Sequence, residues 1–205
     1  MLTLYLAKGT SSLAAHILLE EVGASYKLAE VSLRDGAHKD AAFRAVNPKA
    51  RVPALATPEG VVTENPAILT YIAATHPEAG MLPEGAYARA EADALNAYLC
   101  ATVHVAFAHR FRGARWADDP VAIEAMAAKV PDNLSDCASL IEAQYLRGPW
   151  ALGKQFTLCD AYLALVPGWL SKAGVSLDAF PKLAAHRDAL RARPAAARAI
   201  AWHEQ

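Results

Sequence analysis

The hydrophobic pattern of the chain changes near residue 85, and this change constrains the fold more than any other feature. Before it, short apolar runs typical of strands alternate with helical segments. From Ala86 onward, every long segment has helical periodicity. With 205 residues, the chain is long enough for one large domain or two small ones. We therefore expect an α/β domain over 1–77, a linker over 78–85 that carries proline and glycine, and an all-α domain over 86–205.

The first part of the chain is predicted to alternate between strands and helices. Apolar runs at 2–6 and 26–31 indicate strands on either side of a helix that begins at Ser11 or Ser12, since serine is well suited to cap a helix. A strand–helix–strand unit implies parallel pairing through a right-handed crossover. The segment 52–63 holds two short runs around a Glu-Gly pair, which is typical of an antiparallel hairpin. With a polar helical stretch before the hairpin and a helix after it, the predicted order is βαβ-α-ββα, a four-stranded mixed sheet.

The second part is predicted to hold five helices, over 86–113, 121–146, 157–172, 181–191 and 194–202. Pro131 lies inside the second of these helices and Pro167 inside the third, so we expect a kink or a break at each proline. The third helix opens with Thr157-Leu158-Cys159-Asp160, which matches the capping box of a serine or threonine followed three residues later by an acidic residue.

Charge and composition exclude several classes of function. The 20 basic and 21 acidic side chains leave a net charge of -1, which provides no field for nucleic acid or an anionic membrane. The hydrophobic fraction of 54% is inflated by alanine, and no stretch approaches the roughly 20 apolar residues of a membrane-spanning helix. Cys100, Cys137 and Cys159 are far apart and form no CxxC motif, which argues against a thioredoxin-type oxidoreductase and favours a reducing compartment. We expect a cytoplasmic protein without a signal peptide, without a metal, and without a membrane or nucleic-acid partner.

Two short segments are suited to bind a small zwitterion. Val52-Pro53 stands at the entry of a strand, where a cis peptide would free the preceding backbone for a ligand; a trans proline at a sheet edge is the alternative. Glu64-Asn65 lies between a strand and a helix, with Pro66 next, so free N–H groups and the helix dipole would favour an anionic group. Glu64 could receive an ammonium group or could cap its own helix. Together these groups suit a zwitterion with a peptide-like backbone.

Several segments of the chain resemble, in the right order, segments of the cytosolic glutathione transferases. Those similar to the glutathione-binding half are NPKARVPAL at 47–55 and TENPAI at 63–68. The other similar segments are SLAAHI at 12–17 with EVG at 21–23 (the first helix of bacterial members), GAHK at 36–39 (the G-x-H-K of plant phi-type members), and GKQFTLCDAYL at 153–163 (the capping segment of the helical domain). The resemblance covers essentially the whole chain and indicates a bacterial, beta-like member with phi-like features.

This resemblance implies a thioredoxin-like N-terminal domain, an all-helical C-terminal domain, a cis peptide before the strand-entry proline, and usually a homodimer. The backbone of Val52 would pair with the cysteinyl part of glutathione. Glu64 and Asn65 would hold the γ-glutamyl group, although serine is commoner at the second position. His38 and Lys39 would reach the glycine carboxylate, and a solvated loop is the alternative for both. The residues that would bind glutathione are therefore His38, Lys39, Arg51, Val52, Pro53, Glu64 and Asn65.

The residue that would activate the glutathione thiol is predicted at the turn before the first helix. A hydroxyl that donates to the sulfur there, aided by the helix dipole, would lower the thiol pKa from about 8.5. Beta-type members have a cysteine at this place, and alignment on 12–14 puts Ser11 there, which closes a mixed-disulfide route through this position. Alignment on the phi-type turn brings Thr10 to the serine position, and Tyr5 loosely matches the tyrosine of the animal classes. We rank Ser11 first, Thr10 second and Tyr5 third; helix capping is the alternative for both hydroxyls before the helix.

A pocket for the second substrate is predicted in the helical part. The segment around His104 resembles the helix of bacterial members in which a histidine faces the active site, and a histidine packed between helices is the alternative. Arg110, Arg112, Arg115 and Trp116 fall where the second substrate would bind. We assign His104, Arg112 and Trp116 to this pocket. Guanidinium groups beside an aromatic ring would favour a flat, electron-poor or acidic electrophile, whereas a solvated helix end is the alternative.

The resemblance implies an enzyme that conjugates the glutathione thiolate to a small hydrophobic or electrophilic substrate, as in detoxification, with glutathione as co-substrate. Reduction of disulfides or peroxides by glutathione on the same fold is an alternative. A non-catalytic module that binds glutathione or another ligand is a second alternative. The intact Glu64-Asn65 pair and the hydroxyls before the first helix favour the enzyme over the module.

Overall fold

The computed structural model describes the whole chain and divides into two compact units. The first unit comprises Met1–Gly85 together with Leu190–Gln205, and the second comprises Ala86–Ala189. The sequence analysis assigned the segment 190–205 to the helical domain. In the structure it lies with the α/β unit, where Arg193 forms a bidentate ion pair with Glu21 at 2.8 and 2.6 Å.

Four strands and ten α-helices make up the two units. In chain order they are β1 (Leu2–Leu6), α1 (Leu13–Glu21), β2 (Tyr26–Glu30), α2 (Ala41–Val46), β3 (Ala54–Thr57), β4 (Gly60–Thr63), α3 (Asn65–Thr75), α4 (Ala86–Tyr98), α5 (His104–Arg112), α6 (Pro120–Leu140), α7 (Leu158–Leu163), α8 (Val166–Ala173), α9 (Pro181–Arg191) and α10 (Pro194–Glu204). No helix is both long enough and apolar enough to cross a membrane.

The strands form one four-stranded sheet in the order β2-β1-β3-β4. β1 runs parallel to β2 and antiparallel to β3, and β3 and β4 form an antiparallel hairpin. The predicted mixed sheet and the thioredoxin-like βαβ-α-ββα order are therefore confirmed. Fully buried apolar side chains from the strands and helices form the core of this unit, among them Leu4, Leu6, Ile17, Leu55 and Ile68. Removal of these side chains from water is the main force that holds the helices on the sheet.

The strand register brings three candidate site segments to one edge of the sheet. Tyr5 lies opposite Ala54, and Ala54 lies opposite Thr63. At this edge β1 ends, β3 begins and β4 ends. The turn before α1, the Val52–Pro53 segment and the start of α3 consequently leave the sheet side by side.

The predicted kink or break is found near Pro167 but not at Pro131. The predicted helix over 157–172 is two helices, α7 and α8, with Pro167 in the first turn of α8, where its missing N–H costs no helical hydrogen bond. We expected a kink or a break at Pro131, but α6 continues through it as one helix. Val130 and Leu134 are both buried on either side of this proline, so their packing favours a continuous helix.

The remaining helical predictions agree with the structure or differ only in detail. The predicted long helix over 86–113 corresponds to α4 and α5, joined by a π-helical segment at Leu99–Val103. The predicted capping box is confirmed, because the Thr157 side chain accepts from the backbone of the first turn while Asp160 accepts from the Thr157 N–H. This motif fixes the start of α7.

Candidate functional site

The turn between β1 and α1 holds three neighbouring hydroxyls in different environments. Ser12 is buried, and its Oγ donates to the Ala7 carbonyl at 3.1 Å and accepts from the Ala7 N–H at 3.2 Å. The Thr10 Oγ1 donates to the same carbonyl at 2.7 Å and lies 2.5 Å from the Ser12 Oγ. Ser11 is half-buried, and its hydroxyl makes no hydrogen bond. Ser11 is thus the one hydroxyl of the three that is available to a ligand at the start of α1.

Ser12 is a structural residue that sequence reasoning treated only as a possible helix cap. Its side chain makes no capping hydrogen bond to α1 and instead closes the turn back onto the end of β1. Serine side chains bond readily to nearby main-chain groups, and here the partner, Ala7, lies five residues before Ser12 and directly after the end of β1. The sequence does not distinguish such a bond from a cap.

Tyr5, the third candidate for thiol activation, lies within β1. Its ring packs against that of Phe43 in α2, with the ring centroids 6.0 Å apart. Phe43 is buried. Tyr5 therefore contributes to the contact between the sheet and α2, and it lies on the strand rather than in the turn that carries Ser11.

The loop before β3 is held by a buried asparagine. The Val52–Pro53 peptide bond is cis, and Pro53 is buried. The Asn47 Nδ2 donates to the main-chain oxygen of Arg51 at 2.6 Å, and its Oδ1 accepts from the Lys49 N–H at 3.1 Å. Asn47, which sequence reasoning did not select, thereby fixes the backbone that leads into the cis peptide. The Arg51 side chain is exposed.

Glu64 has a backbone conformation that non-glycine residues rarely adopt. Its φ is 74° and its ψ is 128°, immediately before α3. Such outliers cost free energy and concentrate at functional sites. The alternative that Glu64 caps its own helix is wrong, because its side chain makes no capping hydrogen bond. Its Oε1 instead accepts from the Lys49 Nζ at 2.6 Å, a partner that sequence reasoning missed.

Asn65 connects the start of α3 with the turn before α1. The side chain is buried, and its Nδ2 donates to the main-chain oxygen of Ser11 at 2.9 Å. Its Oδ1 is buried and has no hydrogen-bond partner within the protein. The structure thus brings two of the predicted site residues into direct contact and leaves one acceptor unsatisfied beside them.

His38 and Lys39 lie in a short 3₁₀ turn at Ala37–Lys39, after Gly36 with a φ of 79°. His38 is half-buried and its Nδ1 is a buried atom without a hydrogen-bond partner, while Lys39 is exposed. No ion pair joins either side chain to the Glu64–Asn65 segment. The predicted glycine-carboxylate residues are therefore in the same unit as the other candidates, but the protein itself does not link them.

The candidate residues of the second-substrate pocket lie in two aromatic groups of the helical unit. The His104 ring stacks on that of Trp169 with centroids 4.8 Å apart, and Phe107 stacks on the same indole at 5.6 Å. Trp116 instead meets His109 edge-on at 4.4 Å. Sequence reasoning missed Trp169, because a helix pattern does not reveal which ring on another helix a histidine contacts.

The charged residues assigned to this pocket lie at the end of α5. Arg110, Arg112 and Arg115 are exposed, as is the Trp116 ring. The Arg110 guanidinium lies 5.6 Å from the centroid of the Phe111 ring. These residues form the basic and aromatic end of the helix that the sequence analysis described.

Comparison with known proteins decides the family. A crystal structure of a glutathione transferase homolog from Sulfitobacter, with bound glutathione, is 40% identical to this chain. The two superpose with a TM-score of 0.94, over 97% of this chain and 96% of that one. This chain belongs to the glutathione S-transferase family. Its residues 1–74 also match the family model described as glutathione S-transferase, N-terminal domain.

Two relatives of this glutathione S-transferase family member are named for different reactions. Glutathione S-transferase GST-4.5 of Xanthomonas campestris pv. campestris is 30% identical over 181 residues, which is 88% of this chain and 88% of that protein. Maleylacetoacetate isomerase of Pseudomonas aeruginosa is 30% identical over 196 residues, which is 92% of this chain and 90% of that protein. Family membership alone therefore does not decide between transfer and isomerisation.

Burial determines the state of one of the three thiols in this transferase-family chain. All three cysteines are free, and Cys137 and Cys159 are buried. Burial raises the pKa of the Cys159 thiol, and the charge of Asp160 raises it further, so Cys159 stays protonated. No group of three or more His, Cys, Asp or Glu side chains is placed to hold a metal ion.

Proposed function

We propose that this protein binds glutathione in its α/β unit and activates the glutathione thiol for addition to an electrophilic carbon of a small substrate. The observation that carries the proposal is the environment of Ser11. Its hydroxyl has no partner, whereas those of Thr10 and Ser12 are bonded to Ala7. Asn65 also ties the Ser11 main chain to the segment suited to hold the γ-glutamyl group.

Glutathione would lie along the sheet edge where β1, β3 and β4 meet. The Val52 main chain would pair with its cysteinyl part, and Glu64 and Asn65 would hold its γ-glutamyl group. His38 and Lys39 would bind the glycine carboxylate. The strained Glu64 backbone and the unsatisfied Asn65 Oδ1 support this arrangement, since both features are accounted for by a ligand that they bind.

The chemistry requires a glutathione thiolate near neutral pH. The Ser11 hydroxyl would donate a hydrogen bond to the sulfur, and the positive end of the α1 dipole would stabilise the same charge. The thiol proton then leaves to solvent, and the sulfur lone pair forms a C–S bond while the electrophile's leaving group departs. Ser11 is our first candidate for this role, and Thr10 and Tyr5 are the second and third.

The electrophile would bind on the helical unit. We assign His104, Arg112 and Trp116 to this pocket, and the exposed Arg112 guanidinium with the exposed Trp116 ring would favour a flat, electron-poor or acidic electrophile. We further propose that the protein acts in the cytoplasm as a homodimer and serves in detoxification. Sedimentation of the purified protein tests the dimer directly.

Glutathione-dependent isomerisation is a second candidate, because the Pseudomonas aeruginosa relative is a maleylacetoacetate isomerase at 30% identity. It would use the same activated thiol, which adds to a carbon–carbon double bond and is expelled after rotation, so that glutathione is recovered. Reduction of a disulfide or peroxide would instead convert two glutathione molecules into their disulfide. The fate of glutathione therefore distinguishes the three reactions.

The first experiment is calorimetric titration with reduced glutathione, followed by the absorbance of the bound thiolate from about pH 5 to about pH 9. We expect binding with a thiol pKa clearly below that of free glutathione. Binding with an unchanged thiol pKa would favour the non-catalytic module, and no binding would overturn the proposal. Assays with a model electrophile, a maleyl substrate and a small disulfide then follow whether glutathione is conjugated, recovered or oxidised.

A further inference from the structure

Lys49 makes a contact that the proposed glutathione site does not yet use. Its Nζ donates to the Glu64 Oε1 at 2.6 Å and to the Thr63 Oγ1 at 2.7 Å. Lys49 precedes β3 and Glu64 follows β4, so the register of the β3–β4 hairpin places both side chains at the same sheet edge. The carboxylate that would receive the ligand's ammonium group is thus paired with an ammonium group of the protein.

The backbone on both sides of this ion pair is constrained. The Lys49 N–H donates to the Oδ1 of buried Asn47, and Ala50 follows with a φ of 54°. Glu64 has a φ of 74°. The two charged side chains are about half exposed, at 45% and 50%, and ion pairs of this kind contribute little to stability. Stabilisation by the pair therefore does not account for two unusual backbone conformations around it.

We propose that Lys49 determines specificity for the γ-glutamyl end of glutathione by exchanging its partner when glutathione binds. The ligand's α-ammonium group replaces Lys49 at Glu64, and the released Lys49 ammonium pairs with the ligand's α-carboxylate. This inference rests on the proposed function of the site. It adds to that function a residue that binds the α-carboxylate of the zwitterion.

The exchange balances all four charges. One Lys–Glu pair and one zwitterion become two ion pairs, so no charge is left unpaired beside the sheet edge. Without Lys49, the Glu64 carboxylate would repel the α-carboxylate that stands one carbon from the bound ammonium. A ligand that carries only one of the two charges leaves either Lys49 or Glu64 without a partner, and it should be rejected for that reason.

Among the groups that contact Glu64, Lys49 supplies the positive charge for the α-carboxylate. One N–H of the Asn65 Nδ2 donates to the main-chain oxygen of Ser11, and the Asn65 Oδ1 is an acceptor, which suits an ammonium group and not a carboxylate. Main-chain N–H groups at the start of α3 are the other donors for the α-carboxylate. Lys49 is the cation that the structure holds next to Glu64.

A thermodynamic cycle between protein and ligand tests the exchange. Calorimetry would measure the dissociation constants of wild type and Lys49→Met for glutathione and for 4-aminobutyryl-cysteinyl-glycine, which lacks only the α-carboxylate. We expect the analogue to bind wild type at least about tenfold more weakly than glutathione, because it cannot form the charge-assisted bond to Lys49. The Lys49→Met variant should discriminate between the two ligands by less than about twofold.

Two further variants test whether the discrimination depends on the position and the charge of Lys49. Lys129→Met removes a comparable exposed ion pair, that with Asp132 at 2.6 Å, and should discriminate like wild type. Lys49→Arg keeps the charge and should retain most of the discrimination. Equal discrimination by wild type and Lys49→Met, with wild-type binding of glutathione intact, would overturn the inference alone. Failure of wild type to bind glutathione would overturn the proposed function and this inference together.

Discussion

The Asn65 Nδ2 donates to the main-chain oxygen of Ser11 at 2.9 Å, across 54 positions of sequence. This hydrogen bond joins the start of α3, which is suited to hold the γ-glutamyl group, to the turn that carries the hydroxyl proposed to activate the thiol. Both partners lie in the same compact unit. The two ends of the proposed glutathione site are therefore positioned by one buried side chain.

Asn65→Asp tests this coupling, because aspartate keeps the shape of the side chain but offers no N–H to the Ser11 carbonyl. We expect the turn to shift and the thiol pKa of bound glutathione to rise by about one unit, which lowers the ratio of thiolate to thiol about tenfold. The pH profile of kcat/KM and the thiolate absorbance measure this change. Asn65→Ser, which restores a neutral donor, should recover part of the loss. An unchanged thiol pKa in Asn65→Asp would disprove the positioning role.

Ser11→Ala should lower turnover with a model electrophile at least about tenfold, while the affinity for glutathione and the free energy of unfolding stay nearly unchanged. The reason is that the Ser11 hydroxyl has no partner within the protein. Thr10→Val is the matched control, because it removes a hydroxyl bonded to Ala7 and Ser12 and should cost about 1–3 kcal/mol of stability. Urea denaturation and steady-state kinetics separate the two effects. If Ser11→Ala retained its turnover, the role would move to Thr10 or Tyr5.

Sequence patterns predicted the strands, most of the helices and their order. Short apolar runs bounded by turn residues predicted the four strands, and a threonine and an acidic residue three positions apart predicted the cap of α7. These signals are local, since each depends on residues within one or two turns of chain. The parallel pairing of the first two strands followed from the strand–helix–strand unit, because its right-handed crossover is a general constraint on parallel strands.

The contacts between distant residues that build the site could not be predicted from local sequence patterns. The contact of Lys49 with Glu64 spans 15 positions and that of Asn65 with Ser11 spans 54, so neither has a periodic signal. The grouping of 190–205 with the α/β unit depends likewise on ion pairs such as Arg193 with Glu21. Pairings between distant segments become visible only when the strand register is known.

The buried carboxylate of Asp160 stabilises the helical unit through four hydrogen bonds. Its Oδ1 accepts from the Ala151 N–H at 2.7 Å and lies 2.9 Å from the His186 Nε2. Its Oδ2 accepts from the N–H and the hydroxyl of Thr157 at 2.8 and 3.2 Å. The side chain is fully buried, so each partner would be left unsatisfied without it.

Asp160→Ala should therefore lower the free energy of unfolding by about 3–5 kcal/mol, as expected when one partner of a buried hydrogen-bonded network is removed. Urea denaturation followed by circular dichroism measures this loss. Asp178→Ala is the control, because that carboxylate is exposed and accepts a hydrogen bond from the Ser176 Oγ at 3.0 Å, and its effect should stay within about 0.5 kcal/mol. A loss below about 1 kcal/mol in Asp160→Ala would contradict the structural role.

A cluster of buried rings lies where α1 and α10 pack together. The rings of His16 and His203 are 5.6 Å apart, and Trp202 contacts both. Neither nitrogen of His203 has a hydrogen-bond partner. Burial, together with repulsion from His16 and Lys8, lowers the pKa of His203 to about 4. Burial also lowers the pKa of His16, against the attraction of Glu20.

This cluster predicts that the α/β unit loses stability in mild acid. Between about pH 6.5 and about pH 4, His203 is protonated in the unfolded chain and neutral in the folded chain. The free energy of unfolding therefore falls as pH falls through this range. We expect His203 to account for about 2 kcal/mol of that fall. The charged and titratable groups that face the His16–His203 pair are Lys8, Glu20, Tyr26 and Arg198. Urea denaturation across this range should show a flatter pH dependence for His203→Phe, while Trp202→Phe, which alters packing without removing a titrating group, should keep the wild-type slope. Equal slopes in His203→Phe and wild type would show that another group is responsible.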